Sequence, residues 1–138
     1  MDATAHHYAI TVADLEQAVE FYRDVLGLDV LSRFSVGGDA FAAGVGVDGA
    51  SAEFVHLDAG DARLELVSYD PEADRRPEPR LNEPGATHLG LEVTDLDAVY
   101  AEFPDDVETL SEPRTTESGT AILFVVDPEG NLVELLEP

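Results

Sequence analysis

The sequence predicts an α+β fold built from two tandem βαβββ modules, residues 1–69 and 86–138, joined by a linker over 70–85. Three observations predict it. His7-Tyr8-Ala9-Ile10-Thr11-Val12-Ala13-Asp14-Leu15 is echoed by His88-Leu89-Gly90-Leu91-Glu92-Val93-Thr94-Asp95-Leu96, each running from His through a strand-like stretch to Asp-Leu. Arg63-Leu64-Glu65-Leu66-Val67 is echoed, near the end of the chain, by Leu132-Val133-Glu134-Leu135-Leu136. After each Asp-Leu the apolar spacing turns helical, then returns to short strand-like runs. A chain that says the same thing twice in the same order is a duplicated module.

The elements follow in order. Met1 to Ala5 reads as a frayed end, and His6 to Val12 as a strand with His7, Ala9 and Thr11 on one face. His6, on the other face, points away from His7. Asp14 caps a helix whose apolar stripe is Leu15, Ala18, Val19, Tyr22, Val25 and Leu26, and Gly27 stands where the helix end needs a left-handed residue. Leu28 to Val36 is a strand, Gly37-Gly38 a turn, and the small, Gly-rich stretch Phe41 to Gly49 fits no single element. Ala52 to Leu57 and Ala62 to Ser68 are strands joined by Asp58-Ala59-Gly60-Asp61. The 70–85 stretch carries Pro71, Pro77, Pro79 and Pro84 and three Arg, so it has no regular structure; it is either a plain surface linker or a flap over a site. In the second module Thr87 to Val93 is a strand, Asp95 caps a short helix through Phe103, and Pro104 stops it. Val107 to Leu110 is a weak strand. Ala121 to Val126 is all apolar and reads as buried on both faces, and Asp127-Pro128-Glu129-Gly130 turns into the last strand, Asn131 to Leu136. The resulting sheets are curved and mostly antiparallel.

Composition narrows the function. A chain of 138 residues with 44% hydrophobic residues holds one domain or two small modules. No apolar run approaches the roughly 18 residues of a membrane span. No basic stretch followed by an apolar one opens the chain, so no signal peptide is expected and the location reads as cytoplasmic. Absence of Cys excludes disulfides, thiolate metal sites and Cys nucleophiles. Thirty acids face seven bases, every base is Arg, and the net charge is −23. Such a Lys-free acidic exterior suits a protein in concentrated salt, where screening relieves self-repulsion, and a halophilic source is expected. It also argues against nucleic acid and anionic membranes as partners.

Against so many solvated acids, Glu65 and Glu134 stand out by position. Glu134 has Leu132 and Leu136 on its own face and Val133 and Leu135 on the other. An unpaired carboxylate in an apolar strand costs several kcal/mol to bury, and a bound cation is one compensation. His7, Glu65, His88 and Glu134 recur at matching places of a duplicated module, so a pseudo-twofold axis would gather them around one cleft. Two neutral imidazoles and two carboxylates make a neutral site for one divalent ion, whether Ni, Zn, Co, Mn or Fe(II). His56 is a lone strand His without an echo in the second module.

His7 with Asp14-Leu15, followed by Phe21-Tyr22-Arg23-Asp24-Val25-Leu26-Gly27-Leu28, resembles the opening of the vicinal oxygen chelate (glyoxalase, bleomycin resistance, dioxygenase) superfamily. Asp127-Pro128-Glu129-Gly130-Asn131-Leu132-Val133-Glu134-Leu135 resembles its closing strand, and the resemblance covers nearly the whole chain. That superfamily includes glyoxalase I, methylmalonyl-CoA epimerase, extradiol dioxygenases, fosfomycin-modifying transferases and metal-free drug-binding proteins. The His-Glu-His-Glu order is most similar to glyoxalase I. The resemblance implies a metal-dependent lyase or isomerase, converting a hemithioacetal of a 2-oxoaldehyde to a 2-hydroxyacyl thioester through a metal-stabilised enediolate. Glu65 and Glu134 would both be metal ligands and are the two catalytic candidates, one of them leaving the metal to carry the proton between adjacent carbons, and His7 and His88 would anchor the metal. A small-molecule substrate, a small thiol and a homodimer are the partners it implies. Thr11 departs from the pattern, since bacterial glyoxalase I carries there an Arg that helps to hold glutathione. The alternatives are a CoA-thioester epimerase, a ring-cleaving dioxygenase, and a metal-free binding protein on the same scaffold.

Overall fold

The computed structural model describes residues 1–77 and 80–138; Glu78 and Pro79, in the middle of the expected linker, lie outside the described residues. The chain forms two compact units, Met1–Arg75 and Arg76–Pro138. Both are α+β, each a mixed sheet with few helices.

The first unit contains β1 (His7–Thr11), α1 (Leu15–Glu20), a π-helical turn (Phe21–Val25), β2 (Val30–Val36), α2 (Asp39–Val45), β3 (Ser51–Asp58) and β4 (Arg63–Asp70). The strand order is β1-β4-β3-β2. β1 runs parallel to β4, and the other pairs are antiparallel. The backbone bonds Arg63 N–H to His6 C=O, 3.0 Å, and Val12 N–H to Val67 C=O, 2.8 Å, tie the two ends of β1 to β4. Leu64 and Leu66, on one face of β4, are fully buried together with Val55 and Leu57 of β3 and Val19 and Tyr22 of the helical segment. The alternating residues of β4 place Glu65 on the opposite face.

Asp14 caps α1 as the sequence predicts, its Oδ1 accepting the Gln17 N–H at 3.0 Å. The helix then widens: the Leu26 N–H bonds the Phe21 carbonyl five residues back, at 3.1 Å. The wider turn buries two consecutive aromatics, Phe21 and Tyr22, edge to face at 5.1 Å, where a regular stripe buries Tyr22 alone. Gly27 takes φ +74°, the left-handed value expected at the helix end. The stretch left unassigned by its Ala/Gly content is α2, closed by Gly46 at φ 70°; Phe41 anchors it on a cluster of Ala52, Phe54 and Val67.

The second unit contains β5 (Leu89–Glu92), α3 (Leu96–Glu102), β6 (Glu108–Thr109), β7 (Arg114–Thr115), β8 (Ala121–Val126) and β9 (Leu132–Glu137). β5, β9, β8 and β6 lie in that order, with β7 paired to β8. β5 is parallel to β9, as β1 is to β4. Asp95 caps α3 through the Ala98 N–H at 2.9 Å. The short β7 falls in a stretch with no strand signal. β8 corrects the expectation of burial on both faces: Leu123 and Val125 are buried, whereas Ile122, Phe124 and Val126 are half-buried. Alternation puts Phe124 on the face that carries Glu134.

The β8–β9 turn is held by Asp127, 4% exposed. Its carboxylate accepts the Glu129 N–H at 2.9 Å, the Asn131 N–H at 2.8 Å and the Asn131 side-chain amide at 2.9 Å. Asp127→Ala leaves those donors without the carboxylate. We expect a loss of about 1–3 kcal/mol of stability, read as a lower urea midpoint at unchanged slope.

No helix among the described residues is long and apolar enough to cross a membrane.

Candidate functional site

Parallel pairing is what brings imidazole and carboxylate together. In the first unit β1 lies against β4 with His7 opposite Arg63 and Ala9 opposite Glu65. His7, Ala9 and Thr11 therefore share the face of Glu65. The His7 Nε2 stands 3.7 Å from Glu65 Oε2. In the second unit Gly90 of β5 lies opposite Glu134, and His88, one residue before the strand, reaches the carboxylate with Nε2 at 3.2 Å from Oε2. The four residues singled out by the repeat thus form two separate His–Glu pairs, one per unit. Among the described residues no group of three or more His, Cys, Asp or Glu side chains stands ready to hold a metal ion.

The carboxylates are the sheltered members. The Glu65 and Glu134 side chains are 12% and 22% exposed, against 37% and 36% for His7 and His88. Glu on a half-buried strand face needs a partner, and the imidazoles are those partners here.

His56 is the residue that sequence reasoning missed. It is buried on β3, directly opposite Glu65, and its Nε2 lies 2.7 Å from Glu65 Oε2, closer than that of His7. The signal was in the hairpin. Closing β3 on β4 around the 59–62 turn pairs Asp58 with Arg63, and two residues further in each direction pairs His56 with Glu65. Its counterpart is Phe124, opposite Glu134 and edge to face with His88 at 5.1 Å. The position is therefore shared by both modules although the residue is not.

His6 also departs from expectation. It precedes β1 rather than opening it, so its ring is free of strand alternation and turns onto His7, Nδ1 to Nδ1 at 2.8 Å. One of those nitrogens donates and the other accepts. When His7 donates, its Nε2 lone pair is left free on the Glu65 side. Beyond His56 the same face continues as an aromatic row, with Phe34 edge-on to His56 at 5.0 Å and stacked on Phe54 at 5.0 Å.

Known proteins share this arrangement of strands. The chain is 33% identical over 141 residues to a 2-epi-5-epi-valiolone epimerase of Actinomyces sp., covering 95% of this chain and 77% of the relative. It is 26% identical to a probable lactoylglutathione lyase of Synechocystis, covering 95% and 92%. Among solved structures, a glyoxalase family protein from Bacillus cereus superposes with TM-score 0.83 at 22% identity, covering 96% of this chain and 91% of that one. The trypanothione-dependent glyoxalase I of Leishmania major superposes with TM-score 0.69 at 26% identity, covering 99% and 87%. The family described as Glyoxalase/Bleomycin resistance protein/Dioxygenase superfamily matches residues 4–135, and the chain belongs to it.

Proposed function

We propose that the chain is a metal-dependent epimerase that inverts a carbon next to the carbonyl of a small hydroxylated ketone, with His7, Glu65, His88 and Glu134 holding one divalent cation. The observation that carries the reading is the recurrence of a His–Glu pair at the same place of both units. Within each pair the spacing fits two ligands of one ion. Two donors each about 2.1 Å from one cation, at right or tetrahedral angles, stand about 3.0–3.4 Å apart. The two pairs stand at 3.7 Å and 3.2 Å, within a small side-chain adjustment of that spacing. Both carboxylates carry an oxygen toward an imidazole whose other nitrogen is turned elsewhere.

When bound, a divalent cation supplies Lewis acidity for the carbonyl and for the enediolate charge that develops. The chain does the rest. Glu134 takes the proton from the carbon next to the carbonyl. Opposite it, Gly90 carries no side chain and Phe124 offers no hydrogen bond, so His88 at 3.2 Å is its neighbour that can bond it across the strands. The planar enediolate then takes a proton from a water on the opposite face, and Glu134 passes the proton it took to the hydroxide left behind, so that the carbon is inverted and water is restored. Phe34 and Phe54 supply an apolar wall beside the first pair.

The motifs alone favour glyoxalase I chemistry; the 33% identity to an epimerase, against 26% to a probable lactoylglutathione lyase, favours the epimerase. Thr11 in place of a thiol-holding Arg points the same way. Glyoxalase I chemistry is the second reading, supported by the 26% identity to a glyoxalase I of known structure, and it uses the same Glu134 to return the proton to the neighbouring carbon.

The test is metal content together with deuterium uptake from D2O. We expect about one divalent ion per chain, and exchange at the carbon next to the carbonyl in hydroxyketones, 2-epi-5-epi-valiolone among them. Thioester formation from methylglyoxal with a panel of thiols, without exchange in any ketone, would favour the second reading. His7→Ala and His88→Ala should each lose the metal and the exchange together. Full exchange in a metal-stripped protein would end both readings.

A further inference from the structure

Glu65 and Glu134 hold equivalent places but have unlike neighbours. Opposite Glu65 stands His56; opposite Glu134 stands Phe124. His56 is 5% exposed, its Nε2 is 2.7 Å from Glu65 Oε2, and its Nδ1 is 3.4 Å from a terminal guanidinium nitrogen of Arg63. A guanidinium has donors and no acceptor, so Arg63 donates to Nδ1. Nδ1 is then an acceptor, and the single ring proton of the neutral imidazole sits on Nε2, from which it is donated to Glu65. The ring itself is braced, edge-on to Phe34 at 5.0 Å and within 6.2 Å and 6.0 Å of the His6 and His7 rings. Phe124 can do none of this for Glu134.

We propose that Arg63 and His56 form a positioning relay that fixes Glu65 by its Oε2, making it the stationary carboxylate of the pair and leaving proton transfer to Glu134. The proposal rests on the metal site described above. A hydrogen-bond donor behind a ligand orients it toward the ion, and loss of such a donor costs about 10–100-fold in metal affinity. A carboxylate oxygen has two lone pairs, so Oε2 accepts the His56 N–H and keeps a lone pair for the cation on the side of His7. A duplicated module would otherwise present two interchangeable carboxylates. The His-for-Phe difference at one strand position gives them separate tasks.

Two measurements on the full chain test it without relying on activity. Nitrogen NMR of His56 in the metal-stripped protein should show an unprotonated, acceptor-type Nδ1 and a protonated Nε2. Arg63→Leu, at an exposed strand end, should shift protonation toward Nδ1. Titration with Zn or Co should show His56→Phe binding about 10–100-fold more weakly than the unchanged protein. His56→Gln, whose amide nitrogen can donate to Oε2, should recover most of that loss. A folded His56→Phe protein binding as tightly as the unchanged one would overturn the relay. A protonated Nδ1 would do so as well, even if His56→Phe failed to fold. So would a His56→Gln protein as weak as His56→Phe, since filling space would then be the whole role. An unchanged protein that takes up no divalent ion would instead bring down the metal site, and the relay with it.

Discussion

Replacing Glu134 with Gln is expected to leave the metal in place and lower the rate by about 10²–10⁴-fold, the usual scale for a removed general base. The amide keeps an oxygen on the ion and cannot take a proton near neutral pH. Glu65→Gln should behave differently. Its larger effect falls on metal affinity, because the Gln side chain can turn its amide nitrogen toward the ion or leave the His56 N–H with a weaker acceptor. Its proton-transfer rate at saturating metal should stay within about tenfold of the unchanged protein, well short of a removed general base. Metal content, and deuterium exchange measured at saturating metal, separate the two effects. Equal rate losses in both variants would mean that the carboxylates share the proton, and would count against a stationary Glu65. A ring-cleaving dioxygenase would show another pattern, with Glu65 tolerant of change and oxygen consumed with catechols.

The second large effect is expected from salt. Thirty acids face seven Arg, and pairs such as Arg33–Glu16 at 2.8 Å and Arg23–Asp24 at 2.7 Å neutralise few of them. Both pairs are exposed and contribute little to stability. What remains is a net charge of −23 that repels itself in the folded chain. Raising KCl from about 0.1 to about 3 M shortens the screening length from about 10 Å to below about 3 Å, which removes most of that repulsion. If the relief is a few kcal/mol, the thermal midpoint rises on the order of 10 °C. A midpoint flat across that range would remove the expectation of a salt-dependent protein.

The fold was legible wherever alternation and caps were strong. Asp14 and Asp95 cap their helices, Gly27 takes the left-handed conformation, and the strands bearing Glu65 and Glu134 hide Leu64, Leu66, Val133 and Leu135 as their periodicity requires. α2 was not legible because its seven residues are mostly Ala and Gly with a single aromatic anchor, too little for a helical stripe. β7 is two residues long and is defined by its partner rather than by its own sequence. The two His–Glu pairs were readable because both copies carry them. His56 was not, for the same reason. A comparison of copies finds what is repeated, and at that position the second copy has Phe124. Only the cross-strand register, which depends on where the 59–62 turn closes, places His56 against Glu65.

Each unit hangs its imidazole and its carboxylate from parts of unequal stiffness. β1 and β5 are the outermost strands of their sheets and are bonded within the unit along one side, while β4 and β9 are flanked on both. An outer strand opens at lower free energy than an inner one. His7 therefore opens one outer strand and His88 immediately precedes the other, at the compliant side of each unit, while the glutamates lie on the flanked strands. Breathing of the sheet would loosen the imidazole while the carboxylate stays put, which suits an ion that must enter and be retained. It also means that an ion bridging His to Glu would act as a clasp on an outer edge of each unit, so that occupancy of the site and the mechanical integrity of that edge rise and fall together.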